Sequence, residues 1–417
     1  MKGASITKTY GLEYLRSKLG TKSARVNLRY DYYEMKNKIR QIQALIPAEF
    51  KMCSYALGWC ATAVDSLADR IVFDSFDNDD FYLSQIYSQS NADILFDNAV
   101  LSALISSCSF LYIDINENQY PRIECIDGGN ATGIIDTSTN LLTEGYAVIE
   151  RNEDGSAKLE AYFLPYRTEY YESGKSEPVD VFEHSSPYPL LVPVINRPDA
   201  KRPFGRSRIS RCCMDLVQGV VRSLVRTEVT SEFYSFPQKY VLGLSEEAEF
   251  NNRQATLSSF LNFGKDSDGN VPKVGQFAQE SMAPHIEHIK MIASMFAGET
   301  GLTLDDLGFS TSNPASFDAI RASHERLRLS ARKSQRCFGV GFLNAGYLAA
   351  CVRDKTEYDR FAFADYKTIW KPIFEPDANA LAATGDAIIK INQASEGFLG
   401  SRNIKQLTGL ESDLIDG

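Results

Sequence analysis

His285 and His288 stand three residues apart within a helical pattern, a spacing that puts two imidazoles on one face and would suit a shared metal ion. The chain has four histidines in all, and no third ligand lies near this pair, so both read as surface residues. Asp305-Asp306 offers two adjacent carboxylates, but in turn-forming sequence, where a solvated acidic loop or a helix cap is the ordinary use. Gly174-Lys175-Ser176 ends like a phosphate-binding loop, yet Glu169 stands where the first glycine of that loop belongs, and Gly264-Lys265 is followed by Asp266. Asn130-Ala-Thr132 spells a glycosylation sequon and nothing else suggests secretion. Neither a Gly-x-Ser-x-Gly elbow nor a His-Glu-x-x-His pair occurs. No catalytic residue, metal site or cofactor is assigned, and the expectation is a protein without enzymatic activity.

The eight cysteines (Cys53, Cys60, Cys108, Cys125, Cys212, Cys213, Cys337, Cys351) form no Cys-x-x-Cys pair, and adjacent Cys212 and Cys213 cannot bond each other without distortion. Buried free thiols in a reducing compartment are expected. The 417 residues are 44% hydrophobic and 24% charged, a folded balance with room for two or three domains or one elongated body. No apolar run approaches the ~20 residues that span a bilayer, and the opening Met1–Leu15 has no signal-peptide core; the reading is a cytosolic product with no membrane partner. Lys and Arg number 44 against 54 Asp and Glu, a net charge of −10, which disfavours a generic high-affinity DNA binder.

The elements fall in three blocks. Residues 1–204 read as an α+β body. Tyr30–Glu34 followed by Met35–Ile46 predicts an opening helix ended by Pro47, and Tyr55–Ile71 and Phe81–Ser107 predict further helices. Phe110–Ile115, Tyr146–Ile149, Leu159–Phe163 and Thr168–Tyr171 are strand runs, with turns at Asn152–Gly155 and Glu172–Gly174. A connector spaced by Pro187, Pro189, Pro193, Pro198 and Pro203 leads to a long helix capped by Ser207 and running to about Ser235. Residues 237–278, with a short β run at Tyr240 and polar, glycine-rich sequence, separate it from a second helix. That helix keeps Ile286, Ile289, Ile292, Ala293 and Phe296 on one side and stops at Gly298 and Gly301. Asn313-Pro314 would then start a helix of about 30 residues, roughly 45 Å long. Ile320, Leu327, Ala331 and Phe338 mark its apolar side. Arg321, Glu325, Arg328, Arg332 and Arg336 mark another, read either as a solvated salt-bridged face or as a surface for another subunit or nucleic acid. Tyr358–Pro372 is mixed strand and turn, Asp377–Ala394 a helix, and Ser401 the cap of another.

Two segments carry more than pattern: Phe204-Gly-Arg-Ser-Arg-Ile209, and Phe296 to Phe309 followed by Asn313-Pro-Ala-Ser-Phe-Asp-Ala-Ile-Arg-Ala322. They resemble the portal proteins of tailed bacteriophages, the head–tail connectors, as does Val64-Asp-Ser-Leu-Ala-Asp-Arg-Ile71. The likeness runs from about residue 30 to 410. It implies a portal-like α+β fold: a wing at 1–204, stem helices at 205–236 and 279–300, a clip at 237–278 and a tunnel loop at 301–314. A long helix and return to the wing would take 315–372, and a short helical crown 373–417.

The resemblance further implies a dodecameric homo-oligomer at one capsid vertex, passing double-stranded DNA without regard to sequence. Its partners would be the terminase large subunit, a head-completion or tail adaptor protein, and the major capsid and scaffold proteins. Gly308, Phe309, Ser310, Thr311, Ser312 and Asn313 would face DNA; Lys265, Asp266, Asp268 and Lys273 would dock terminase and adaptor; Arg321, Arg328, Arg332 and Arg336 would meet the neighbouring subunit. The competing readings are an enzyme of nucleic-acid metabolism with a helical insert and a non-portal capsid ring protein.

Overall fold

The computed structural model describes residues 9–38, 55–77, 79–116, 120–235, 239–243, 269, 271, 273–276, 281–309, 317–374, 378–400, 403–404 and 408. The helices are α1 (Leu12–Tyr33), α2 (Trp59–Ala68), α3 (Leu83–Ser88), α4 (Ala92–Ser106), α5 (Arg211–Ser235), α6 (Ala283–Thr300), α7 (Phe317–Ser323), α8 (Glu325–Asp354) and α9 (Ala378–Ala394). The strands are β1 (Phe73–Phe76), β2 (Cys108–Ile115), β3 (Pro121–Ile126), β4 (Ala131–Ile135), β5 (Leu142–Arg151), β6 (Ala157–Leu164), β7 (Arg167–Glu172), β8 (Asp180–Glu183), β9 (Leu191–Ile195), β10 (Lys239–Leu242), β11 (Lys273–Gln276) and β12 (Thr368–Trp370). The fold class is α+β: all the strand pairs are antiparallel, in sheets ordered β3-β2-β9, β4-β5-β6-β7-β8, β1-β12 and β10-β11. Among the described residues no helix is long and apolar enough to cross a membrane.

Helix α8 is the axle of the core. Leu327, Ala331, Phe338, Phe342, Ala345 and Leu348 are fully buried along it. Phe342 sits in an aromatic cluster with Phe73, Phe96 and Trp370, at ring distances of 6.0, 4.6 and 6.0 Å. Tyr87 of α3 donates its hydroxyl to the Phe342 carbonyl at 2.6 Å, so even the polar end of that buried ring is satisfied. Strands come close because α8 carries glycine where they cross. A Cβ on Gly341 would press on β9 at Val194 and Pro193, and one on Gly339 would collide with Thr368 of β12.

The five-stranded sheet is a meander. Its central strands are covered on both faces, with Tyr146 and Tyr162 on one side and Ala147, Ala161 and Phe163 on the other, and the Asn152–Gly155 turn, with Gly155 at φ 81°, joins β5 to β6. Helix α1 covers one face with Leu15 and Leu19 against Tyr146, Tyr162 and Tyr171. Two buried carboxylates fix it there. Glu144 accepts from the Tyr10 and Gly11 N–H groups and the Tyr162 hydroxyl, and Glu160 accepts from Arg16. A buried carboxylate costs stability unless bonded in this way.

Several expectations change here. The opening helix lies earlier than residues 30–46: it ends at Tyr33, and Met35 takes φ 60°, which no α-helix continues through. Residues 39–50 lie outside the described set. The proline-spaced connector holds a fully buried strand, β9. Pro193 is tolerated because β9 is an edge strand, pairing with β2 alone, where a missing N–H breaks no second ladder. The long helix starts at Arg211, and its cap is Ser210, whose Oγ accepts from Cys213 N at 3.2 Å. Ser207 donates instead to the Ile105 carbonyl at the end of α4. Helix α8 also extends well past Phe342, to Asp354.

Phe342→Ala should lower unfolding stability by about 3–5 kcal/mol, the range for emptying a buried aromatic site, read from denaturant midpoints. His184 gives a pH signature. Burial pushes its imidazole down to about 4, only partly offset by backbone hydrogen bonds at Arg167 and Ser186. Folding thus favours the neutral ring; the stabilisation is complete above ~6.5, the ordinary histidine value, and is lost as pH falls through about 4. The melting-temperature gap between the wild type and His184→Asn should narrow steadily from pH 7 to pH 4; a constant gap would contradict this.

Candidate functional site

Helices α5 and α6 form an antiparallel hairpin of 25 and 18 residues, about 37 and 27 Å long. Cys213, Val217, Val220, Val221 and Val225 of α5 are buried, as are Ile292, Ala293, Phe296 and Ala297 of α6. Ser223 Oγ meets His288 Nδ1 at 3.0 Å, a hydrogen bond across the hairpin. Beyond the helices, β10 and β11 make a four-residue ladder, with the Tyr240 ring filling the space that Gly275 leaves empty. The short β run at Tyr240 and the Lys273–Gly275 segment are therefore the two sides of one ladder.

At its root the hairpin is tied to the body by Arg208. This side chain is 8% exposed; its Nε donates to the Ala63 carbonyl of α2 at 3.1 Å and its Nη2 to the Thr300 carbonyl at the end of α6. Its backbone N–H donates to Leu104 at the end of α4. Burial pulls the Arg208 guanidinium down to about 10, still charged at neutral pH, and the negative ends of α4 and α6 favour a cation there.

After α6, Gly301 turns at φ 74° and the chain makes a compact knot. Thr303 N and Oγ1 both donate to Asp306 Oδ2, at 2.7 and 2.8 Å. His324, at the break between α7 and α8, places Nε2 3.2 Å from the same oxygen while Nδ1 lies 2.9 Å from the Ile320 carbonyl. Burial raises the Asp306 carboxyl, but the Thr303 and His324 bonds outweigh it and leave it below the ordinary carboxylate range. Arg326 Nη1 reaches back to the Gly298 carbonyl at 2.7 Å.

Of the predicted DNA-facing residues, Gly308 takes φ 89° and Phe309 is half-buried with its ring 6.4 Å from Trp59 of α2. Ser310, Thr311, Ser312 and Asn313 lie outside the described residues, as do the proposed helix start at Asn313-Pro314 and the docking residues Lys265, Asp266 and Asp268. Lys273 is exposed on β11 opposite Leu242. The arginine row does not share one helix. Arg321 sits on α7 with its guanidinium 5.9 Å over the Phe374 ring, and Arg328 forks onto Glu325 at 2.7 and 2.6 Å. Arg332 and Arg336 are exposed on α8. Ile286 and Ile320, expected on apolar inner sides, are 58% and 46% exposed. Among the described residues no group of three His, Cys, Asp or Glu side chains could hold a metal ion. Sequence reading missed Arg208, which looked like one more cation beside Arg206 and Arg211, and the Asp306–His324 pair, whose members are 18 residues apart. The Gly301 and Gly308 turns were the only local signal of a knot.

No family model matches the chain. The portal protein of Mycobacterium phage L5 is 24% identical over 390 residues, covering 88% of this chain and 79% of that protein. The portal protein of Mycobacterium phage D29 is 24% identical over 399 residues, covering 89% and 80%. The chain is similar to phage portal proteins over most of its length. Among solved structures, a chain in the virion of a native gene transfer agent particle aligns over 93% of this chain and 99% of its own, with 13% identity and a TM-score of 0.46. The portal assignment rests on the two mycobacteriophage sequences, whose matches take in the hairpin, the knot and α8 together.

Arg208→Met keeps the apolar stem, removes the donor to the Thr300 carbonyl at the end of α6, and leaves the Ala63 carbonyl with only its helical partner. It should cost about 1–3 kcal/mol, with faster amide exchange at Thr300 and Gly301 than at the centre of α8. Arg208→Lys should recover little, because one ammonium cannot reproduce the guanidinium fork.

Proposed function

We propose that this chain is the portal subunit of a tailed phage: a head–tail connector that assembles as a ring at one capsid vertex. The genome would be packaged and later ejected through its channel. What carries the reading is the match to two portal proteins over nearly nine-tenths of the chain. The hairpin fits that role, since two long helices tipped by a small β ladder extend from an α+β body and are anchored at the root by Arg208.

On this reading α5 and α6 are the stem and line the channel, and the β10–β11 ladder is part of the clip that meets the terminase large subunit and then the tail adaptor. The segment 308–313 would face DNA. Small, uncharged side chains at 310–313 would touch passing DNA weakly and without sequence preference. A ring of twelve copies, contacts to capsid and scaffold proteins, and residence in the virion belong to the same proposal.

Electron microscopy of the purified full-length chain tests it. Closed rings with an axial channel and near-twelvefold symmetry are expected, alone or with scaffold protein. A chain that stays monomeric or dimeric with scaffold and with terminase present would overturn it.

A further inference from the structure

The charge of this acidic protein is sharply segregated. Residues 197–211 hold six basic side chains and one acidic, and residues 321–336 again hold six and one. Residues 65–98 hold eight aspartates and one arginine.

The basic segments meet in space, with Pro198, Lys333 and Arg336 lining one hollow. On the other side of α8 a larger groove of about 660 Å³ is lined by Leu329, Arg332, Gln335, Arg336, Lys367 and Trp370. Leu329 is 53% exposed there. Gln335 is 92% buried, and its Nε2 lacks a hydrogen-bond partner, a donor waiting for an acceptor. Arg332 shares its field with Glu325, which Arg328 already holds in a fork, while Arg336 and Lys367 pair with no carboxylate among the described residues.

The acidic side is as exposed. Asp69 at the end of α2 and Asp93 and Asp97 on α4 lie on the surface around Ile94, which is 63% exposed. Burial and then the fields of Asp93 and Asp69 raise the Asp97 carboxyl, so these like charges work against one another. An apolar knob with Asp93 and Asp97 beside it and the Arg122–Glu124 pair at its other side thus faces outward on one surface, and an apolar groove lined by cations opens on another.

We propose that the groove beside α8 receives the Asp69–Asp93–Ile94–Asp97 surface of a second copy of this chain. The contact rests on the ring reading above and specifies which two faces close the ring. Two different patches on one subunit make a head-to-tail contact, the kind that propagates around an axis rather than stopping at a pair. Complementary charge steers copies into register, and Ile94 against Leu329 and Trp370 supplies the apolar centre. A carboxylate or carbonyl from the neighbour would satisfy Gln335.

The test is charge exchange in the full-length chain, with ring content read by native mass spectrometry and electron microscopy, and folding by circular dichroism. Arg336→Glu alone and Asp93→Arg with Asp97→Arg should each stay folded and cut ring content about tenfold at fixed protein concentration and low salt, with a smaller loss at higher salt, which screens the like charges each reversal brings together. Combining them should restore rings, which no general loss of stability would do. If the single reversals form rings as the wild type does, or if the folded combination fails to recover, this contact is overturned while the ring reading stands. If Arg336→Glu keeps its rings but loses retention of a labelled DNA duplex, the groove serves nucleic acid and the proposal is likewise overturned. A wild-type chain that never forms rings under these conditions overturns both.

Discussion

The burial of α8 is the constraint on which the rest of the molecule depends. Phe338, Phe342, Ala345 and Leu348 are sealed from solvent by elements from every part of the chain. β9 lies on Gly341, β12 on Gly339, α3 on Gly346, and the rings of Phe73 and Phe96 on Phe342. A helix so surrounded cannot shift without repacking several neighbours at once, because protein interiors deform in discrete steps rather than smoothly. Its exposed side is therefore free to carry charge. Arg332, Lys333 and Arg336 sit on a support whose position is fixed elsewhere.

Arg208 does for the hairpin what α8 does for the body. Arginine is costly to bury, and among the described residues no carboxylate bonds this one, Glu299 acting only through its field. Two carbonyls and the negative ends of two helices offset the cost instead. The outcome is a junction specified by direction: the guanidinium fork reaches Ala63 and Thr300 only when α2 and α6 hold one relative placement. Apolar packing alone would tolerate sliding. The knot after Gly301 repeats this logic on a smaller scale, with Asp306 collecting Thr303 and His324.

Legibility in the sequence followed the range of the forces. Where a local rule decides, the pattern was readable: the strands around Tyr146, Phe163 and Tyr171, the turn at Gly155, the stop at Gly301, and helices α6 and α9 within a few residues; the stretch Phe81–Ser107 is helical but breaks into α3 and α4 at Asn91, which takes φ 50°. Where a distant partner decides, it was not. Helix α1 carries polar sequence that becomes a covering helix only because Glu144 and Glu160 await it more than 100 residues on. β9 reads as a proline-rich connector until β2 is placed beside it. Ser207 and Ser210 are equal candidates for a cap, and the choice falls to Ser210 because the end of α4 claims Ser207. The Phe204–Ile209 and Phe296–Ala322 segments were informative through resemblance, which carries long-range information that spacing lacks. Arg208 lay inside the first of these segments, with nothing local to distinguish it from its neighbours.

The hairpin and its anchor together define a path for mechanical load. A pull or twist applied at the β10–β11 ladder travels down α5 and α6, whose buried valines and Phe296 keep them acting as one beam. It enters the body through Arg208 and Ser207, into the backbones of α2 and α4. A further tie runs from Gln218 of α5 to the Tyr32 hydroxyl of α1, at 2.6 Å, on the helix that covers the five-stranded sheet. Torque at the tip is thus delivered mainly to helices packed in the same core as α8.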